Sequence, residues 1–379
     1  MSTITRTSAG PIAGNLGRWR HFDPVLLVAT LGLCAFGILG AYVAGSDDSQ
    51  TYVADQMLGL IVGVAVGVPL ALVDYRVWRK HLRTLYVVAI VILLLVIFFG
   101  TVGGGSQSWI DFGPVTIQPS EFAKVLMVLV LAGYFAERTV ADTSTFIKAL
   151  GLLAVPGALV FIQPDLGTAL VFGASFIAMA YIGGARFSQL AAIAGSAALA
   201  AYVVIRFGFL HEYQVARLTA FWNPAEAGDA GYQVEQSKTA IGSGGLTGKG
   251  IEARTLATGG YLPEDHTDFI FANLAERIGF FGSALLILLF FVLIWRILHI
   301  ATISRDRFGI LIAVGLGAIF LFQVLVNIGM TMGIMPVTGL PLPFVSYGRS
   351  SLVVSLIALG LLQSIAMRSR QEISTQPRI

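Results

Sequence analysis

The chain has 379 residues, of which 56% are hydrophobic and only 12% are charged. An ordinary soluble domain cannot bury that much apolar surface in one core, so the composition excludes one and indicates a membrane protein. The formal net charge of +3 is small, and the single cysteine, Cys34, excludes disulfides and thiolate metal sites as organising features.

Ten apolar segments are long enough to cross a bilayer, which takes about 20 residues per helix. They lie at 24–44, 56–74, 83–100, 119–136, 146–162, 165–183, 187–207, 269–297, 307–331 and 345–367. We therefore predict an all-α polytopic membrane domain over 24–367, preceded by a polar arm (1–23) and followed by a tail (368–379). The first apolar run is too long and too poorly flanked for a cleaved signal peptide.

Lysine and arginine concentrate in alternate connections. They lie before the first span and around the ends of the even-numbered spans, the tenth included. They are Arg6, Arg18, Arg20, Arg76, Arg79, Lys80, Arg83, Arg138, Arg186, Arg296, Arg305, Arg307, Arg368, Arg370 and Arg378. The positive-inside rule then predicts that both termini are cytoplasmic. By this count residues 208–268, between helices 7 and 8, form one large extracellular loop, and even-numbered helices begin at the outer surface.

Three acidic residues stand where even-numbered helices are predicted to begin: Glu121, Asp165 and Asp268. One interpretation is capping, since carboxylates in a first turn satisfy free N–H groups and complement the helix dipole. The other is a shared polar cavity, because ionised groups just below the headgroups are costly when each stands alone. Taken together, the three acids favour a site at the outer surface.

Two neighbours of Glu121 are further candidates. Lys124 follows it by three residues, on the same helical face, and brings a cation into the apolar segment. Trp109 precedes the same helix; interfacial tryptophan is usually a membrane anchor, and the alternative is stacking on a sugar or covering a lipid-linked substrate. Either residue is weak evidence by itself.

The glycine-rich stretch at 231–250 invites a phosphate-loop interpretation, which fails on spacing. Such a loop needs glycine at position 243, which is Ser243, and a hydroxyl residue at position 250, which is Gly250. Two alternatives remain: a glycine-rich turn over the membrane surface, or an anion cradle to which Lys238 and Lys249 add charge. We expect no nucleotide here.

The stretch "GIMPVTGLPLPFVSYGRSSL" packs three prolines and three glycines between two spans. Irregular backbone at membrane depth is tolerated where it is buried in protein or lines a cavity. Ser346 and Ser350 supply hydroxyls near the start of the last helix. The segment is either a proline-rich turn with capping serines or one wall of a cavity.

Five ordered motifs carry a resemblance that covers nearly the whole chain. They are "IQPSEFAKV", "QPDLGTALV", "GYQVEQSKTAIGSGGLTGKG", "LPEDHTDFIFANLAE" and "PVTGLPLPFVSYGRSS". Together they resemble the SEDS family, the shape, elongation, division and sporulation proteins. The wording "HTDFIFA" and "TGLPLPF" is closest to its rod-shape branch, and the division branch is the alternative.

This resemblance implies a peptidoglycan glycosyltransferase of the bacterial cytoplasmic membrane that polymerises lipid II with a class B penicillin-binding protein as partner. It also implies membrane lipids, and no nucleic acid, as contacts. The family's essential loop aspartate matches Asp268, and its other functional residues match Trp109, Glu121, Lys124 and Asp165.

Two positions depart from the family pattern. Ser108 stands where many relatives carry arginine, and Arg349 replaces a glycine of "SYGGSS". If that glycine needs a positive φ, arginine strains the turn. The alternative is that Arg349 meets an anionic substrate.

The chemistry of glycan polymerisation requires a general base, and Asp268 is our choice, with His266 as its rival. The leaving diphosphate requires positive charge, for which the candidates are Lys124, Lys238, Lys249, Arg217 or a divalent cation such as Mg²⁺ or Mn²⁺. Glu121, Asp165 and Asp268 are the candidate ligands for such a cation.

A transporter or lipid II flippase is the alternative function, because ten helices with intramembrane charge also fit that class. The acids cluster at outer helix starts instead of near the midplane, and the two halves of the chain show no convincing match. Both observations favour the enzyme.

Overall fold

The computed structural model describes residues 21–44, 49–103, 106–111, 113, 116–208, 212–253, 255–262 and 264–374. Residues 1–20 of the predicted arm and 375–379 of the predicted tail lie outside these ranges. The described residues form twelve α-helices: α1 Pro24–Val43, α2 Ser49–Leu72, α3 Leu82–Phe99, α4 Pro119–Ala136, α5 Thr143–Ile162, α6 Leu166–Ile182, α7 Phe187–Arg206, α8 Glu212–Trp222, α9 Gly228–Ser243, α10 Ile270–Ile303, α11 Arg307–Thr331 and α12 Arg349–Ser374.

Each of the ten predicted apolar segments corresponds to one helix. Nine described helices are long and apolar enough to cross a membrane, and the tenth, α6, is a shorter apolar helix. The ends differ most at α2, which begins seven residues before the predicted start, and at α12, which continues to Ser374. Both extensions are polar, so hydropathy does not detect them. The prediction of an all-helical polytopic membrane protein is confirmed.

Local sequence explains where several helices begin. Asp23 precedes Pro24 and caps α1, its Oδ1 accepting a hydrogen bond from the N–H of Leu26 at 3.1 Å. Asp142 and Asp306 cap α5 and α11 in the same manner. Proline occupies the first position of α4, where its missing N–H costs nothing.

Three helices form the centre of the bundle. α4, α11 and α12 are buried over most of their length, whereas α7 is almost entirely exposed. α2 and α12 approach each other closely, since a Cβ on Gly360 would lie 2.3 Å from the carbonyl oxygen of Gly67. Polar side chains on the central helices are therefore enclosed by protein.

Part of the connection between α3 and α4 forms a small antiparallel sheet. Its strands are β1 Thr101–Gly103, β2 Ser106–Asp111 and β3 Thr116–Ile117, in the order β1-β2-β3. Ile110 pairs with Ile117 across β2 and β3. The connections α3 to α4, α5 to α6, α7 to α10 and α11 to α12 all reach one end of the bundle, which we call the loop face.

The segment between α7 and α10 holds two helices and a tight strap, residues 244–250. Phe280 N donates to Gly245 O at 2.9 Å and Lys249 N donates to Glu276 O at 3.0 Å. These bonds meet a kink in α10 at Gly279, whose φ is 66°. A Cβ on Gly279 would lie 2.2 Å from the nitrogen of Gly248, so only glycine fits where the strap crosses the helix.

Candidate active site

A cavity of about 500 Å³ opens at the loop face. Its walls come from β2, the start of α6, α8, the segment before α10 and the proline-rich segment before α12. Four residues proposed from sequence line it: Trp109, Asp165, Arg217 and Asp268. These side chains are up to 159 positions apart in sequence, between residues 109 and 268, and the fold brings them to one place.

Asp268 lies two residues before α10, with its backbone fixed and its carboxylate directed to the cavity. Asn327 Nδ2 donates to its carbonyl oxygen at 3.0 Å and to Leu340 O at 2.8 Å. Within the described part of the chain, the carboxylate accepts no hydrogen bond. Burial raises the pKa of Asp268 from 3.8 to about 6; the charge of Arg217 opposes this and that of Glu264 adds to it.

Arg217, on α8, supplies a cation next to this carboxylate. A Cβ placed on Gly339 would lie 2.9 Å from Arg217 Nη1 and 3.4 Å from Asp268 Oδ2. Gly339 therefore occupies the gap between the two charges, and its φ of 72° suits glycine. The guanidinium lies 5.6 Å from the ring centre of Tyr213, and among the described residues no carboxylate is within 4 Å of it.

Asp165 both caps a helix and lines the cavity. Its Oδ1 accepts a hydrogen bond from the N–H of Thr168 at 2.9 Å, as the capping interpretation expects. Its Oδ2 is buried and has no hydrogen-bond partner among the residues that the structure describes. One oxygen thus caps α6, and the other is a buried acceptor whose hydrogen-bonding capacity the described residues do not use.

Glu121 and Lys124 do not line this cavity. They form an ion pair within the start of α4, 2.7 Å between Lys124 Nζ and Glu121 Oε1, with side chains only 2–3% exposed. Gln323 of α11 and Ser355 of α12 enclose them, around a void of about 10 Å³. The shared cavity expected for three acids contains Asp165 and Asp268 only, because the first turn of α4 is covered by α11 and α12.

His266 is not among the described residues that line the cavity, and its ring contacts two aromatic rings. Its ring stacks on Tyr52 with 5.0 Å between centroids, and Nδ1 lies 3.2 Å from Asp265 Oδ1. The hydrogen bond that the His266 ring donates to the Asp265 carboxylate raises the pKa of His266. Asp268 is therefore the better placed of the two candidate bases.

Lys238 and Lys249 also lie outside the cavity lining. Lys249 Nζ is 2.6 Å from Glu276 Oε1, and the N–H groups of Lys249 and Gly250 donate to carbonyls of α10. The strap therefore directs these two N–H groups to a helix, so they are not free for an anion. The aliphatic chain of Lys238 contacts Gly333 after α11.

The two candidate serines form hydrogen bonds with backbone groups. Ser346 Oγ donates to Thr267 O at 2.7 Å and accepts from Leu342 N at 2.8 Å. Ser350 Oγ accepts from Gln118 N at 3.0 Å. The cavity wall here is made by their neighbours Tyr347, Gly348 and Ser351.

Sequence reasoning did not identify several polar residues at or beside the site. Glu264, Tyr213 and Gln233 line the cavity, and Asp55 of α2 lies beside it. Glu264 belongs to "EDHTD", and that acidic cluster was the available signal. Asp55 carries no local signal, because its partners are about 290 residues further along the chain.

Arg349 pairs with Asp55. Its Nη2 lies 3.2 Å from Asp55 Oδ2. The described non-glycine residues with positive φ are Pro164, Glu264 and Phe344, so Arg349 begins α12 with ordinary backbone. The strain considered from sequence is therefore absent, and Arg349 is not among the residues lining the cavity. Ser108, the other departure, is buried in β2.

An apolar groove of about 550 Å³ lies beside the cavity, between α2, α3, α4 and α12. The two spaces meet at the small sheet. Trp109 lines the cavity and the next residue, Ile110, lines the groove. Likewise, Gln118 lines the cavity and its neighbour Ile117 lines the groove. Alternation along a strand thus directs one residue to a polar space and its neighbour to an apolar one.

The donor set for a metal ion is sparse. Over the residues that the structure describes, no group of three or more His, Cys, Asp or Glu side chains is placed to hold one. Glu121 is engaged by Lys124, which leaves Asp165 and Asp268 from the set considered from sequence.

Comparison with known proteins gives consistent matches over the chain. Residues 22–371 match the FtsW, RodA and SpoVE family model, described as cell cycle protein. The chain is 38% identical to stage V sporulation protein E of Bacillus subtilis over 361 residues, which cover 92% of this chain and 98% of that protein. It is 39% identical to peptidoglycan glycosyltransferase MrdB of Escherichia coli over 351 residues, covering 91% and 93%.

Solved structures share the fold. A chain from a peptidoglycan synthase complex, reported for its coordination of polymerisation and crosslinking, superposes with a TM-score of 0.79 at 28% identity, covering 92% of this chain and 99% of that one. The rod-shape-determining protein RodA of Thermus thermophilus gives 0.71 at 28% identity, covering 95% and 99%. The chain therefore belongs to the FtsW, RodA and SpoVE family of cell cycle proteins.

Proposed function

We propose that this protein is a peptidoglycan glycosyltransferase that polymerises lipid II into glycan strands at the outer face of the bacterial cytoplasmic membrane. Its role is cell-wall elongation and maintenance of cell shape, with division as the alternative within the family. Family membership and the glycosyltransferase relatives support this activity. The observation that carries it is the Asp268 carboxylate, which faces a cavity beside Arg217 with its pKa raised toward neutrality.

Asp268 acts as general base. It takes the proton from a sugar hydroxyl of one substrate as that oxygen attacks the anomeric carbon of another. The bond between the anomeric carbon and the lipid diphosphate breaks, and the electron pair leaves with the diphosphate. A base with a pKa of about 6 is mostly ionised near neutral pH and still basic enough to accept the proton.

Arg217 stabilises the charge that develops on the leaving diphosphate, because it is a cation without a carboxylate partner among the described residues. We further propose that Mg²⁺ or Mn²⁺ assists. Such an ion is commonly held by one or two carboxylates together with substrate phosphates. The Oδ2 of Asp165, which has no hydrogen-bond partner among the described residues, fits that role. The ion would neutralise diphosphate charge.

The apolar groove suits the lipid tail of the substrate. Its lining is apolar throughout, from Trp78 at one end to Ile110 and Ile117 beside the cavity. A polyprenyl chain in this groove would carry its diphosphate and sugars past the small sheet to Asp268. Burial of apolar chain contributes roughly 25 cal/mol per Å² to binding.

The site must face the outside of the cell for this function. Basic residues in the connections opposite the loop face, among them Arg79, Lys80 and Arg305, support cytoplasmic termini. We propose that the segment between α7 and α10 is extracellular, and that the predicted arm and tail are cytoplasmic.

The proposed partner is a class B penicillin-binding protein. Its single transmembrane helix would pack on α10 and α11, where Phe281, Leu288, Trp295 and Leu325 are each more than half exposed. The synthase complex with the same fold supports a polymerising subunit that works beside a crosslinking one. Lipids would cover the remaining apolar surface.

Polymerisation of lipid II by purified protein tests the proposal, alone and with the partner, comparing the parent with Asp268→Asn. We expect polymer from the parent and none from the variant. Asp142→Asn is the matched control, since it makes the same substitution at an exposed carboxylate that caps α5 and does not line the cavity. Full activity of Asp268→Asn would contradict the base assignment. Lipid II crossing vesicle membranes without polymer would indicate a flippase.

A further inference from the structure

The segment that carries the proposed base, residues 264–268, is held on one side by the residues that precede α12. Tyr347 N donates to His266 O at 2.9 Å, and Ser346 Oγ donates to Thr267 O at 2.7 Å. The position of Asp268 therefore depends on how firmly residues 346 and 347 are themselves fixed.

Tyr347 is fixed from a third helix. Its hydroxyl donates to Asp55 Oδ2 at 2.6 Å, and Arg349 Nη2 lies 3.2 Å from the same oxygen. Asp55 belongs to the second turn of α2, and one turn later Gly59 lies against the backbone of Arg349, 3.4 Å between its Cβ position and the Arg349 Cα. Three charged or polar groups thus join α2 to the start of α12.

The same contacts reach the segment through its histidine. Tyr52, three residues before Asp55, stacks on His266 with 5.0 Å between ring centroids. Tyr52 also meets Tyr347 edge to face at 4.9 Å. His266 is therefore enclosed between α2 and Tyr347, two residues from Asp268.

We propose that Asp55, Arg349 and Tyr347 form a clamp that positions the Asp268 carboxylate, and that all three are positioning residues for the reaction. The inference rests on the proposed function. A general base must lie within hydrogen-bond reach of the proton that it accepts, and a displacement of about 1 Å can cost as much as 10²-fold in rate. The clamp acts on that distance without contact between Asp55 or Arg349 and the cavity.

Arg349 contributes a charged contact to this clamp. The pattern that the sequence resembles has glycine at this position, and glycine has no side chain to pair with Asp55. Here the guanidinium neutralises the carboxylate that also receives the Tyr347 hydroxyl. An ion pair with side chains only about one-fifth exposed is less screened by solvent than a surface pair.

The test compares Tyr347→Phe, Asp55→Asn and Arg349→Gln with the parent in lipid II polymerisation. We expect kcat to fall by about 10-fold or more in Tyr347→Phe, with the KM for lipid II unchanged, because the base is displaced and the binding surface is kept. Arg349→Lys should recover most of the activity that Arg349→Gln loses. Parent-like kcat in both Tyr347→Phe and Asp55→Asn would overturn the proposal.

The chain offers a matched control at the opposite end of the bundle. Tyr75 donates to Asp306 Oδ2, and Arg76 Nε lies 2.8 Å from the same oxygen. Tyr75→Phe removes the same kind of hydrogen bond, and we expect it to keep the parent's kcat. An equal loss of kcat in Tyr75→Phe and Tyr347→Phe would show general destabilisation and would overturn the clamp.

Hydrogen–deuterium exchange provides a readout that does not depend on activity. We expect amides of residues 264–269 to exchange faster in Tyr347→Phe than in the parent and in Tyr75→Phe. Parent-like exchange in Tyr347→Phe would overturn the clamp whether or not the protein polymerises lipid II. Absence of polymer from the parent would overturn the proposed function, and the exchange experiment would still decide the clamp.

Discussion

The pH dependence of polymerisation should report the raised pKa of Asp268. A general base must be ionised, so kcat/KM falls as the pH drops through the pKa of the free enzyme. With a pKa of about 6, roughly nine tenths of the carboxylate is ionised at pH 7 and roughly one tenth at pH 5. We therefore expect kcat/KM to fall about 10-fold between pH 7 and pH 5.

The assay is initial-rate polymerisation of labelled lipid II across this range, with thermal unfolding measured at each pH to separate inactivation from titration. A carboxylate at its ordinary value of 3.8 would stay more than nine tenths ionised at pH 5, so a flat profile would refute the reasoning. A midpoint above 6.5 would instead indicate His266, whose pKa is raised above that value by Asp265.

Three further predictions concern stability and local packing. At pH 7.5, Asp268→Asn should unfold at or above the parent's temperature. Because the pKa of Asp268 is raised on folding, its protonated carboxyl stabilises the fold below pH 3.8, and this stabilisation is lost as the pH rises through about 6. The pKa shift corresponds to about 3 kcal/mol of unfolding free energy at most. Lys124→Met should lower the free energy of unfolding by about 3–5 kcal/mol because Glu121 loses its buried partner. The double variant with Glu121→Leu should recover most of this stability in thermal unfolding, and no recovery would contradict a pairwise effect. Gly279→Ala should speed hydrogen exchange in residues 244–250, whereas Gly151→Ala, with open space around it, should not; equal behaviour would contradict the close contact with the strap.

The membrane helices could be predicted from the sequence because the bilayer imposes a length and an apolar composition on each one separately. The helices that hydropathy missed are α8 and α9, which are short and polar. α9 packs against α10, and α8 packs against α9. These helices depend on tertiary contacts, and a local pattern does not contain that information.

The site could be predicted only in part. Asp165 and Asp268 were identifiable because helix starts on one side of a bundle come together. Glu121 also stands at a helix start, yet α11 and α12 cover it. Local sequence does not indicate which helices pack against each other, so this burial could not be predicted. The contact between Asp55 and Arg349 joins α2 to α12 across the chain, so neither residue indicates the other.

The division between Trp109 and Ile110 has a consequence for where the products go. A single strand, β2, separates the polar cavity from the apolar groove. After the bond between sugar and lipid carrier breaks, the two products would therefore diffuse in different surroundings. The growing polymer would leave through water, whereas the spent carrier would remain in the plane of the bilayer beside α3. Fresh substrate would arrive by the same lateral route, so the concentration that governs turnover is the number of carriers per area of membrane.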